Sequence, residues 1–267
     1  MAKILPTFVL ADATMSMNGT FMGSKKIDEL NKQLKIFIET LRNDNVSKRN
    51  TYISIYNFTE NLEPVIGEFT QLKDLKDVPD IQCRQGITYL AKSIDAAIDK
   101  ILAYTKGLEF ENATTPILVV FTDGKSLQYE DKNTVDRVIE RVNTLAVSKE
   151  CTQRIVLVMV AISEEILGEN PDDKESAAIK DMMLRYAKKG IEGFYNIFVP
   201  EKYDEKTPSP FANVFKLLSS SIIDSNTGGS KVNIVLTRES RRQMENDHPH
   251  YLFISGPVDG EFEEEKL

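Results

Sequence analysis

The sequence predicts a doubly wound α/β fold: a mostly parallel six-stranded sheet with one antiparallel edge strand and helices on both faces. Three observations carry this. Several short runs are almost continuously apolar and rich in Val and Ile, as strands covered on both faces are. Between them lie stripes of apolar residues spaced three or four apart, the period of a helix with one buried side. One pair of runs is joined only by TENLE, residues 59–63, too short for a crossover, so that pair forms an antiparallel hairpin.

In chain order, ILPTFVLA at 4–11 is the first strand, and Ile27, Leu30, Leu34, Phe37 and Leu41 mark the first helix. TYISIYNF at 51–58 and PVIGEF at 64–69 are the hairpin strands. Leu90, Ile94, Ala97 and Ile101 give the next helix, ILVVFT at 117–122 the fourth strand, and Val135, Val138, Val142 and Leu145 a further helix. RIVLVMVAI at 154–162 and FYNIFV at 194–199 complete the sheet. Helices are expected from Ser176 to Lys189 and from Phe211 to Ile223, the latter striped by Phe211, Val214, Leu218 and Ile222. This domain fills residues 1–225. SNTGGSK at 225–231 has the composition of a turn or linker, and 226–267 reads as a tail, disordered or docked on the domain or a partner.

Composition excludes several functions. With 267 residues and 41% hydrophobic content the chain can bury a large core. No apolar run approaches the roughly 18 residues of a bilayer span, and Asp12 interrupts the N-terminus before a signal peptide could form. A soluble, cytoplasmic protein is therefore expected, with no membrane partner. A formal charge of -8 and the absence of tryptophan argue against nucleic-acid binding, which needs a basic surface and stacking platforms. Cys83 and Cys151 stand apart with no histidine nearby, so neither a disulfide framework nor a zinc site is expected. The two histidines, His248 and His250, lie in the tail, leaving no base and nucleophile pair of the common hydrolase kind.

FVLADATMSMNG, 8–19, drives an apolar strand into Asp12 and then into the hydroxyls of Thr14 and Ser16. In a doubly wound sheet, ligands bind at the carboxyl ends of the strands where the strand order reverses. Asp12 ends the first strand and Asp123 ends the fourth, in VVFTDGKS, so the two carboxylates should meet there. Alternate residues of an extended loop point the same way, which lets Asp12, Thr14 and Ser16 converge. With Thr88 from GITYL, the set is all oxygen and suits Mg²⁺ or Mn²⁺ better than zinc. The plainer alternative is a loop and helix cap, since Asp, Ser and Thr also satisfy free backbone N–H groups. GTFMGSKK at 19–26 superficially suggests a phosphate loop, but is one residue short of that motif.

Asp12-Ala-Thr14-Met-Ser16, Gly86-Ile-Thr88-Tyr-Leu90 and Thr122-Asp123-Gly124 resemble, in order and separation, the three parts of the metal-ion-dependent adhesion site of von Willebrand factor A domains. The resemblance runs over residues 1 to about 225 and implies the Rossmann-like fold of that family. It is strongest to compact cytoplasmic bacterial A domains of the TerY-like type, found in tellurite-resistance, stress and phage-defence gene neighbourhoods. It implies a non-catalytic interaction module in which Ser16, Thr14 and Thr88 contact the cation and Asp12 and Asp123 hold it directly or through water. An acidic side chain of a protein partner then completes the octahedron. It further implies, as alternatives, an accessory subunit of an AAA+ ATPase of the MoxR or chelatase type, or a partner kinase or phosphatase from the same gene neighbourhood. A metal-dependent phosphohydrolase is a third alternative. Residues 207–224 are expected to relay site closure.

The chain departs from the family pattern at two positions. Thr14 replaces a serine, keeping the hydroxyl and adding a methyl. Met15 replaces a glycine, which should deny the loop positive φ angles and alter the metal geometry. The loop MNGTFMGSKK is also longer than expected, and so is placed to cover the site or widen the recognition surface.

Overall fold

A computed structural model describes residues 4–21, 24–108, 114–124, 130–146, 148, 153–162, 185–186, 194–199, 219, 222–223 and 252–255. Its strands are β1 (Leu5–Asp12), the two-residue β2 (Thr20–Phe21) and β3 (Ser24–Lys25), β4 (Thr51–Phe58) and β5 (Leu62–Gln71), then β6 (Ile117–Thr122), β7 (Val156–Ile162), β8 (Phe194–Val199) and β9 (Leu252–Ser255). The helices are α1 (Lys26–Asn43), the single turn α2 (Ser47–Asn50), α3 (Leu90–Lys106) and α4 (Lys132–Ala146). β2 and β3 form a separate small hairpin.

The main sheet runs in the order β5-β4-β1-β6-β7-β8-β9. β4, β1, β6, β7 and β8 are parallel, while β5 is antiparallel to β4 as the short TENLE link requires. Alternation along each parallel strand divides the core. Leu5, Val9, Ile53, Ile55, Ile117, Val119, Val156 and Val158 face α1, with its Leu30, Leu34, Phe37 and Leu41. Phe8, Leu10, Phe58, Leu118, Val120, Leu157 and Met159 face α3 and α4, meeting Ile94, Ile98, Ile101, Val138 and Val142. Phe8 also stacks on Tyr56, ring centroids 5.3 Å apart. Helices thus cover both faces.

The sheet has seven strands, one more than expected, and it is antiparallel at both edges. Leu252–Ser255, assigned to the tail from sequence, pairs with β8. An edge strand of four residues has too little hydrophobic pattern to register, and its pairing comes from main-chain groups of a strand some fifty residues away. The helices expected over 176–189 and 211–223, the relay at 207–224 and both histidines fall wholly or mostly outside the described residues. The described parts, residues 185–186, 219 and 222–223, are helical; among them Tyr186 is buried on the α3 face and Ile222 on the α1 face. No described helix is long and apolar enough to cross a membrane.

The segment after β5 is ordered by burial, not by regular structure. Leu72, Leu75, Val78 and Ile81 pack on the α1 side of the core. The Asn31 side chain of α1 donates to the Ile81 carbonyl and accepts from its N–H, each at 2.9 Å. This fastens the segment that leads to Gly86 and Thr88.

Candidate metal centre

β1 leads through α1 to β4 on one side, whereas β6 leads to β7 on the other, so the order reverses between β1 and β6. Asp12 is the last residue of β1 and Asp123 follows the last residue of β6, and both are fully buried. One Asp12 carboxylate oxygen accepts from the Thr14 N–H at 2.9 Å and from the Thr14 hydroxyl at 2.7 Å. Its other oxygen accepts from the Thr122 hydroxyl at 2.8 Å. Thr14 and Ser16 hydroxyls lie 2.9 Å apart.

The loops around this group are built by short backbone ties. The Ala13 N–H donates to the Phe58 carbonyl at 3.0 Å and the Arg84 N–H to the Ala13 carbonyl at 2.7 Å, so the chain at Arg84 runs beside the Asp12 loop. Thr88 is buried, one residue ahead of Tyr89, whose N–H donates to the Thr59 carbonyl at 3.2 Å. Gly86 has φ 153°, and a Cβ on it would come within 3.1 Å of the Thr59 Cβ, so the close approach needs glycine. Gly124, at φ 73°, turns the chain away directly after Asp123, its N–H donating to the Thr122 hydroxyl at 3.0 Å.

Met15 opens a 3₁₀ turn, Met15–Asn18, that holds Ser16. That conformation is right-handed and open to any L-residue, so the methionine imposes none of the strain expected of it. Its side chain is about half exposed, while Met17 is buried. The long loop after Ser16 folds into the β2–β3 hairpin, closed by the Lys26 N–H on the Gly19 carbonyl at 3.1 Å.

Lys26 and the role of the Thr122 hydroxyl were not anticipated from sequence. Lys26, the first residue of α1, is 5% exposed, and its ammonium lies 3.3 Å from an Asp123 carboxylate oxygen. The adjacent Lys25 is exposed. Sequence offers no means of telling two neighbouring lysines apart. Thr122 was legible within Thr-Asp-Gly, but not which way its hydroxyl points.

Burial first, and then the Asp123 charge, push the Asp12 carboxyl up to about 7, against the lowering effect of the bonds from Thr14 and Thr122. Burial and the charges of Asp12, Asp28 and Asp123 likewise push the Cys83 thiol up to about 11, so in the metal-free protein it stays protonated. Two buried carboxylates with one lysine ammonium, at Asp123, keep one unbalanced negative charge when both are ionised, and with the neighbouring hydroxyls this donor set fits a small hard divalent cation. Among the described residues no three His, Cys, Asp or Glu side chains are grouped to hold a metal, so hydroxyls would have to supply part of its shell.

The von Willebrand factor type A domain model matches residues 8–196, most of the chain and all three loops of this site. The chain belongs to the von Willebrand factor A family. Solved A-domain structures share its fold at low identity. The PilB minor pilin from Streptococcus sanguinis is 14% identical with a TM-score of 0.57, over 86% of this chain and 64% of the pilin. A von Willebrand factor type A protein from Catenulispora acidiphila is 15% identical with a TM-score of 0.51, over 83% of this chain and 43% of that one. BatB, a conserved hypothetical protein from Bacteroides thetaiotaomicron, is 13% identical with a TM-score of 0.50, over 84% of this chain and 100% of its own. This A domain thus spans less than two thirds of the length of the pilin and the Catenulispora protein. No curated protein matches the sequence.

Proposed function

We propose that this A domain is a non-catalytic, metal-dependent protein-interaction module. The observation that carries this reading is the pair of fully buried carboxylates, Asp12 and Asp123, at the ends of adjacent strands, with the Thr14 and Thr122 hydroxyls bonded to Asp12. Asp12, Thr14, Ser16, Thr88 and Asp123 would hold Mg²⁺ or Mn²⁺. When bound, the cation supplies a Lewis-acidic centre that an acidic side chain of a partner protein can join. Thr14 and Thr122 orient the Asp12 carboxylate, and the packed strand ends keep water from it. Asp12 must give up its proton for the site to load.

The TerY-like resemblance supports a cytoplasmic adaptor in a bacterial or phage stress, tellurite-resistance or defence assembly. The test is affinity capture from host lysate in parallel Mg²⁺ and EDTA buffers, with Asp12→Ala as control and circular dichroism to verify its fold. A partner retained only by the wild-type protein in Mg²⁺ is expected. The same partner retained in EDTA and by Asp12→Ala would remove the metal from the recognition step. Phosphatase turnover in Mn²⁺ that is lost in Asp123→Ala would overturn the non-catalytic reading.

A further inference from the structure

Lys26 is an unusual residue to bury. It opens α1, where the positive end of the helix dipole disfavours a cation, and lysines are almost never buried unless paired. Its burial is compensated by Asp123, whose carboxylate oxygen is 3.3 Å from the ammonium. The lysine is also held from behind. Its N–H closes the β2–β3 hairpin on Gly19, and the next residue, Ile27, packs into the core. The long loop after Ser16 therefore delivers a tethered positive charge into the metal site.

We propose that Lys26 is the resident cation of this site, and that its ammonium and a divalent metal are alternative partners of Asp123. This rests on the metal-site reading above. Asp12, Asp123 and Lys26 together carry one net negative charge when both acids are ionised. A divalent ion bound beside an unmoved Lys26 would leave the buried group one charge positive, whereas one that displaces it leaves the two carboxylates neutralised. Loading thus requires the ammonium to swing off Asp123, or an arriving partner carboxylate to balance the excess. In either case Lys26 lowers the affinity for metal alone, and an acidic partner that balances the added charge raises it. Without metal, Lys26 balances the Asp123 charge at the end of β6.

The test uses the full chain and Mn²⁺ alone as probe, followed by the loss of the free Mn²⁺ signal in electron paramagnetic resonance. Wild type is compared with Lys26→Met, Lys26→Arg and Asp12→Ala, each with a thermal melt in EDTA. Lys26→Met is expected to bind Mn²⁺ about tenfold more tightly or better, as removal of a like charge a few ångströms away predicts. Lys26→Arg, which keeps the charge, should stay near wild type. Metal-free Lys26→Met should melt below wild type and recover more on adding Mn²⁺. If Lys26→Met does not fold, Lys26→Gln is read in its place. Binding by the methionine or glutamine variant that is no tighter than wild type overturns the competition, and the metal site itself still stands if Asp12→Ala abolishes binding. No Mn²⁺ binding by wild type or by either variant overturns both.

Discussion

Asp12 shares a dry pocket with a second carboxylate, so its proton is held more tightly than that of an exposed acid. Its carboxyl is pushed from an ordinary 3.8 up to about 7, which means that the metal-free fold binds this proton more strongly than the unfolded chain. The stabilisation is complete below about 4 and is lost as pH rises through 7. Thermal melts in EDTA should therefore fall between pH 5 and pH 8, and Asp12→Asn should flatten that slope. Metal affinity has the opposite sign: calorimetric titration with Mn²⁺ should weaken by up to about tenfold per pH unit below 7, where loading must expel the proton. At this scale the meeting of Asp12 and Asp123 at neighbouring strand ends, with the Thr14 and Ser16 hydroxyls beside Asp12, was legible, because strand-end carboxylates and alternating hydroxyls leave a spacing that can be read. Lys26 was not, since burial of one lysine beside an exposed twin depends on which way α1 is turned.

At the scale of elements, two contacts set the loop that carries Thr88. Asn31 satisfies both backbone groups of Ile81 from α1, and Asn31→Ala leaves them unpaired in a buried place. Denaturant unfolding should show a loss of about 1–3 kcal/mol, with the midpoint shifted and the slope unchanged. Gly86→Ala adds a Cβ 3.1 Å from the Thr59 Cβ at a φ of 153°. It should cost about 1–3 kcal/mol and weaken Mn²⁺ binding as Thr88 moves, which titration of the same variant will register. The α3 N-terminus depends on a distant residue as well: Glu130, ahead of α4, accepts the Ala91 and Lys92 N–H groups at 2.8 and 2.9 Å. Helix periods predicted α1, α3 and α4 because a buried stripe repeats locally. The order of residues 72–88 was hidden, since Leu72, Leu75, Val78 and Ile81 recur every third residue, a spacing that drifts off one face of an α-helix and is interrupted by Pro79, and they are placed by α1.

For the whole molecule, β9 is the structural fact with the widest consequence. It covers the outer edge of β8 by antiparallel pairing of Leu252–Ser255. A chain ended before Leu252 exposes that edge, and an unpaired strand edge is a template for association. Light scattering should detect oligomers in the truncated protein, together with a melting temperature several degrees lower; a monomer of unchanged stability would make the pairing dispensable. The sequence by itself determined the alternation of strands and helices, the antiparallel β4–β5 hairpin and the placing of Asp12 and Asp123 at neighbouring strand ends, because each is encoded within a few positions by period, link length or motif. Only the tertiary structure decided that residues 252–255 join the sheet, that Thr122 orients Asp12 and that Lys26 confronts Asp123. These depend on groups far apart in the chain meeting in a low-dielectric interior, where a single charge or a single hydrogen bond changes the chemistry of the site.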